Sequence, residues 1–143
     1  MISKQLSVFI ENRQGSLGKV LSVLKNSKVN ILSLSLADTT EYGLLRLIVN
    51  NPQKGKEELT SAGFSTILTD ILIVKIAHEP GSLQNILEVI SLNDINIEYM
   101  YGLSVDGAEA SVVLKASDLN KAIEVFKANS IETLTQKDLS VLD

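Results

Sequence analysis

The chain has 143 residues, 45% hydrophobic and 21% charged, a composition that suits one globular domain of average size or two small ones. Its 17 acids against 13 bases leave a net charge of −4 with no cluster of Lys or Arg, which excludes binding driven by neutralised nucleic-acid phosphates. It has no cysteine, so a disulfide scaffold, a thiolate nucleophile and a cysteine zinc site are excluded. No apolar run approaches the roughly 18 residues of a membrane span, and the first residues lack a signal layout. No membrane partner is expected, and the expected compartment is cytoplasmic.

Residues 3–10 alternate, with Leu6, Val8 and Ile10 inward and Gln5 and Ser7 outward, which predicts a half-buried strand. A turn follows from Glu11 to Leu17 (ENRQGSL), with a glycine at its tight point. Ser16 is placed as the N-cap of a helix whose stripe is Leu17, Val20, Leu21 and Leu24, ending near Asn26. Such a turn aims backbone N–H groups and the positive end of a helix dipole at one spot, where a carboxylate or phosphate is welcome. Val29-Asn30-Ile31 opens a second strand with Leu32, Leu34 and Leu36 on one face. Asp38 to Gly43 reads as a hairpin tip, and Leu44 to Val49 as a third strand. Asn50-Asn51-Pro52 ends it and starts a second, weaker helix through about Ala62, with Gly63 at the C′ position. A strand from Phe64 to Thr69 completes βαββαβ, the order of a ferredoxin-like unit.

A displacement of 66 residues lays the second half on the first: Gly15-Ser16-Leu17 on Gly81-Ser82-Leu83, Leu6, Val8 and Ile10 on Leu72, Val74 and Ile76, and Asn30-Ile31 on Asn96-Ile97. Beyond Ile97 a displacement of 67 fits better, matching Leu32, Leu34 and Leu36 to Tyr99, Tyr101 and Leu103. One extra residue near Glu98 predicts a β-bulge, with Tyr99 and Tyr101 packed under the helices. A hairpin at Asp106-Gly107, a strand from about Glu109 to Lys115, a helix capped at Ser117 with the stripe Leu119, Ala122, Ile123 and Phe126, and a strand from Ile131 to Thr135 follow. Thr69-Asp70 is the whole joint, so the expected domains are residues 1–69 and 70–143. The tail KDLSVL echoes KQLSVF near the start and suggests an edge strand. The fold class expected is α+β: two ferredoxin-like modules with antiparallel sheets, side by side as one extended eight-stranded sheet with helices on one face.

The two turns ENRQGSL and AHEPGSL, each followed by a helix and then an Asn-Ile pair, resemble the turn motif of the ACT domain, and the resemblance covers the whole chain as two tandem copies. It implies a non-catalytic regulatory protein that binds a small ligand, most often a free amino acid, where the glycine turn of one module meets the second strand of its neighbour. It also implies pairing of modules, so a homo-oligomer, as in a dimer, is expected. The positions it picks out for ligand binding are Asn12, Gly15, Ser16, Leu17 and Asn30 in the first copy, and His78, Gly81, Ser82, Leu83 and Asn96 in the second. Two positions depart from the motif: Gln14 stands in place of proline, and His78 stands where the first copy has Asn12, so the half-sites differ and one good site is expected.

The residues themselves support part of this. Backbone donors at the turns suit a ligand carboxylate, and an asparagine amide can both accept from an ammonium and donate to a carboxylate. The glycines equally serve as turn formers, and the asparagines as strand-entry turns. A lone His78, without cysteine or a second histidine, makes no metal site and reads as the lip of a polar pocket. No nucleophile–base pair or carboxylate dyad occurs near the turns, so no enzyme activity, catalytic residue, metal or cofactor is assigned. The partners expected are an amino acid and an enzyme or regulator that reads its binding. The rival function is a regulatory or interaction subunit of an amino-acid biosynthetic enzyme with no ligand response of its own.

Overall fold

The structure, a computed structural model, describes residues 2–11, 14–38, 42–105 and 109–141. Asn12, the predicted hairpin tip after Asp38 and the predicted Asp106-Gly107 turn lie outside the described residues. The elements run β1 (Ser3–Glu11), α1 (Ser16–Asn26), β2 (Ile31–Asp38), β3 (Tyr42–Val49), α2 (Pro52–Ser61), β4 (Ser65–Ile76), α3 (Ser82–Leu92), β5 (Ile97–Val105), β6 (Glu109–Ala116), α4 (Leu119–Ala128), β7 (Thr133–Leu134) and α5 (Gln136–Ser140). Among the described residues there are thus seven strands and not eight, because the strands predicted on either side of Thr69-Asp70 are one, β4. No helix among these residues is long and apolar enough to cross a membrane.

The chain divides into two compact units, each with an exchanged end: Lys4–Thr69 with Lys137–Asp143, and Asp70–Gln136 with Met1–Ser3. In the N-terminal unit β1 pairs antiparallel with β3, placing Leu6 opposite Leu47 and Val8 opposite Leu45, and β3 pairs with β2. In the C-terminal unit β4 pairs with β6 (Leu72 opposite Leu114) and with β7, and β6 pairs with β5. Each is a βαββαβ module of ferredoxin-like type.

The stripes predicted for α1 and α4 supply part of the two cores, and α2 and α3 add residues outside any predicted stripe. Val20 and Leu24 of α1 and Leu59 of α2 are fully buried on Leu6, Val8, Leu45 and Leu47. Ile90 of α3 and Ala122 and Phe126 of α4 are buried on Leu72, Val74 and Leu114. The sparse stripe of α2 has a cause at Gly55. A Cβ added there would lie 2.9 Å from Leu6 Cδ2 and 3.5 Å from Leu24 Cδ2, so the helix gives up a side chain to come close to the sheet.

The repeat extends to devices whose residue types differ. Asn51 caps α2 by accepting from the Lys54 N–H at 3.2 Å, and Asp118 caps α4 by accepting from the Lys121 N–H at 3.0 Å. Gly63 follows α2 with φ 97°, as its predicted C′ place requires, and Ser130 follows α4 with φ 55°.

Further expectations need correction. Gln5 and Ser7 are buried and not outward, and Gln5 Nε2 donates to Ser7 Oγ at 3.0 Å, so the covered polar groups are hydrogen-bonded to each other. The N-cap of α1 is Gly15 and not Ser16, and that of α4 is Asp118 and not Ser117. The bulge at Glu98 is present, but β2 has the same shift between Ile31 and Ser33, so both copies carry it. Leu34 therefore corresponds to Met100, not to Tyr101, and the step from 66 to 67 falls between β5 and β6. Tyr99 and Tyr101 pair with Lys115 and Val113, on the face away from Met100, Leu114 and the helices, because a one-residue slip exchanges the faces of a strand. The tail is the helix α5 rather than a strand, with Leu139 alone fully buried.

Gly55→Val should lower stability by about 1–3 kcal/mol through overpacking against Leu6, read as a lower urea midpoint at unchanged slope.

Candidate functional site

Both predicted turns are built on a left-handed glycine. Gly15 (φ 88°, ψ −8°) precedes α1, and Gly81 (φ 84°, ψ −7°) precedes α3; as N-caps neither makes a side-chain cap bond. Gly15 O accepts from the Lys19 N–H at 3.1 Å, and Gly81 O from the Asn85 N–H at 3.0 Å, so each helix closes its first turn normally. The amides before that point have no intrahelical carbonyl to bond. In the second turn one is used, since Ser82 N–H reaches Glu79 O at 3.3 Å. Nothing lies within 4 Å of a Cβ placed on either glycine, so positive φ alone demands the residue.

Each turn opens on a groove within its own module. In the N-terminal module the groove is about 1090 Å³, and Gly15, Ser16, Lys19, Glu11, Phe9 and Tyr42 line it. Leu17 does not line it: its side chain packs on the core and holds the helix start to the sheet. In the C-terminal module two smaller grooves, about 510 and 470 Å³, flank the turn. His78 and Ser82 line both; Asn85, Lys75 and Glu132 line the first, and Gly81 and Leu83 the second. Lys75 Nζ and Glu132 Oε2 are 3.3 Å apart, an ion pair that occupies both charges.

Asn30 and Asn96 are not brought to their own module's turn. They follow the far ends of α1 and α3, whose 11 residues span about 16 Å. Their main chains are tied down by two residues for which the sequence pattern suggests other roles. Asn30 N–H donates to Asn50 Oδ1 at 3.0 Å while Asn50 N–H donates to Asn30 O at 3.1 Å. Asn96 N–H donates to Ser117 Oγ at 3.2 Å, and Ser117 N–H to Asn96 O at 2.8 Å. Asn50 and Ser117 thus fix the strand entries. Among the described residues no group of three or more His, Asp or Glu is placed to hold a metal.

A family model described as ACT domain pair matches residues 1–143. The chain is an ACT domain pair. It is similar to protein BT0572 from Bacteroides thetaiotaomicron, with 35% identity and a TM-score of 0.93 over 99% of this chain and 98% of that one. It shares its fold with the ligand-free regulatory subunit of aspartate kinase from Thermus thermophilus, at 17% identity and TM-score 0.63, over 90% and 94% of the two chains. The regulatory subunit from Thermus flavus gives 17% identity and TM-score 0.58 over the same shares. No curated protein matches the sequence.

In this ACT pair the motif residues have separate roles. Gly15 and Gly81 shape the turns, Leu17 anchors, and Ser16, Ser82 and His78 face the grooves. Lys19 and Asn85, one helical turn on, are lining residues that the motif alone does not reveal; their signal is the i+4 spacing from each glycine. At Gly15 and at Gly81 alike, substitution by Asn should cost least, by Ala about 1–2 kcal/mol and by Val more, an order set by left-handed backbone strain and measurable by urea melts.

Proposed function

We propose that the ACT pair is a non-catalytic regulatory protein that binds a small zwitterion, most simply a free amino acid, at its glycine turns and passes the signal to an enzyme or regulator partner. The observation that carries this reading is the recurrence of one costly device. Both modules place a left-handed glycine and a helix start without a side-chain cap beside a groove. Capping by Ser, Asp or Asn contributes about 1 kcal/mol, and the second helix of each module uses it. A ligand carboxylate satisfies the same amides, each charge-assisted bond contributing about 1.5–3 kcal/mol.

The ammonium of the ligand needs an acceptor. Asn30 and Asn96 stand at the opposite end of their modules, so in this reading each serves a ligand held at the turn of a module in a second copy of the chain. Ser16, Ser82 and His78 supply further polar contacts at the grooves, and Asn12 belongs with them by its place in the motif. Occupancy then changes contacts between copies, which is what couples binding to a partner. The similarity to regulatory subunits in fold accords with that role.

A thermal-melt series with the twenty amino acids at millimolar concentration tests the proposal. One or a few should raise the melting temperature, since saturation at a hundred times Kd stabilises by about 2.7 kcal/mol. Asn30→Ala and Asn96→Ala should weaken the shift without lowering the melting temperature of the free protein. No shift with any amino acid rejects the ligand, and co-purification with an enzyme would then favour an interaction subunit.

A further inference from the structure

The two grooves are related by the repeat and yet differ in chemistry. Phe9, Tyr42 and Phe64 line the N-terminal one together with Lys19. At the corresponding positions of the second copy, displaced by 66 or 67 residues, stand Lys75, Glu109, Ile131 and Asn85. Three aromatic rings and a cation in one copy are replaced by none of either kind in the other, except Lys75, which is paired with Glu132.

Phe64 packs against the core, but Phe9 and Tyr42 do not fill one. The chain has three Phe and three Tyr and no Trp, and half of these six surround one open groove. Phe9 is 44% exposed and Tyr42 48%, although the fully buried core beside them is made of aliphatic residues. Their ring centroids are 6.5 Å apart with the planes at 59°, within the range of an edge-to-face aromatic pair. Such a pair presents a rigid, ring-shaped apolar surface whose geometry suits another ring better than a branched chain. Lys19, on the first turn of α1, puts a positive charge on the same groove, and the volume of about 1090 Å³ admits a ligand of this size.

We propose that the N-terminal groove selects an aromatic carboxylate, with its ring against Phe9 and Tyr42 and its carboxylate on Lys19. The proposal rests on the reading above that the groove beside Gly15 takes a small acid, and it names the class. The C-terminal grooves, with His78, Asn85 and the Lys75–Glu132 pair, take no part in choosing the ring.

Calorimetric titration of the full chain with L-phenylalanine, 3-phenylpropionate and L-leucine tests it. At least one phenyl compound should bind at least tenfold more tightly than leucine. Binding of phenylalanine alone identifies an aromatic amino acid; equal binding of phenylpropionate identifies the aromatic acid itself. Phe9→Leu and Tyr42→Leu keep apolar area, leave the core untouched and should each lower the aromatic affinity at least fivefold, as should Lys19→Gln. Leucine binding as tightly as phenylalanine, or aromatic binding indifferent to these substitutions, overturns the proposal and leaves the ligand reading standing. No heat with any of the three, together with no melting shift from any amino acid, overturns both.

Discussion

A helix can lie on a sheet only as closely as the smallest residue at their crossing allows, and in the N-terminal module that residue is Gly55, set on Leu6. Its counterpart in the second module, 67 residues on, is Ala122, fully buried in the same role. With the second helix seated this low, the first helix must pack beside it through Val20 and Leu24, or in the second copy Ile90. Leu17 then pins the start of α1 to the core. The place of the glycine turn is therefore a result of core packing, and the groove beside it is what remains between the helix start and the strand end.

Much of this was legible because it rests on periodicity and on special backbone geometry. The stripes of α1 and α4 pointed to residues that are buried, and Gly63 announced the end of α2. The repeat was visible through Gly-Ser-Leu and Asn-Ile. What escaped was whatever depends on one residue of register or on what covers a face. A bulge shared by both copies cannot be seen by comparing them, so the displacement alone places the extra residue in β5 and turns Tyr99 and Tyr101 to the wrong face. Gln5 and Ser7 alternate with Leu6 and Val8 as an outer face should, yet they are buried, and alternation cannot reveal that. Ser16 has the side chain of a cap, but the left-handed residue that begins the helix is Gly15, which leaves Ser16 in the first turn.

The candidate site was legible in its turns and not in its walls. The motif pointed to Gly15, Gly81 and the serines after them, because a left-handed turn restricts the residue type. Phe9, Tyr42 and Phe64 are far apart in sequence, and only the folding of β1, β3 and the turn before β4 around α1 brings them to one groove. Their divergence from Lys75, Glu109 and Ile131 says more about the difference between the copies than the exchange of Asn12 for His78 does. Duplication preserved the backbone device and released the walls to change.

The exchanged chain ends bear on how the protein is made. Ser3 Oγ donates to Leu134 O at 3.4 Å, across 131 residues of sequence, and Ile2 packs on the core of the C-terminal module. Leu139, fully buried, belongs to the segment that joins the N-terminal module. A chain emerging from the ribosome at about 5–20 residues per second therefore holds an unfinished first module until α5 is out. Neither module is a detachable cassette. Cutting at Thr69-Asp70 would take Leu139 from one and Ile2 from the other, so each module needs a segment from outside its own run of chain.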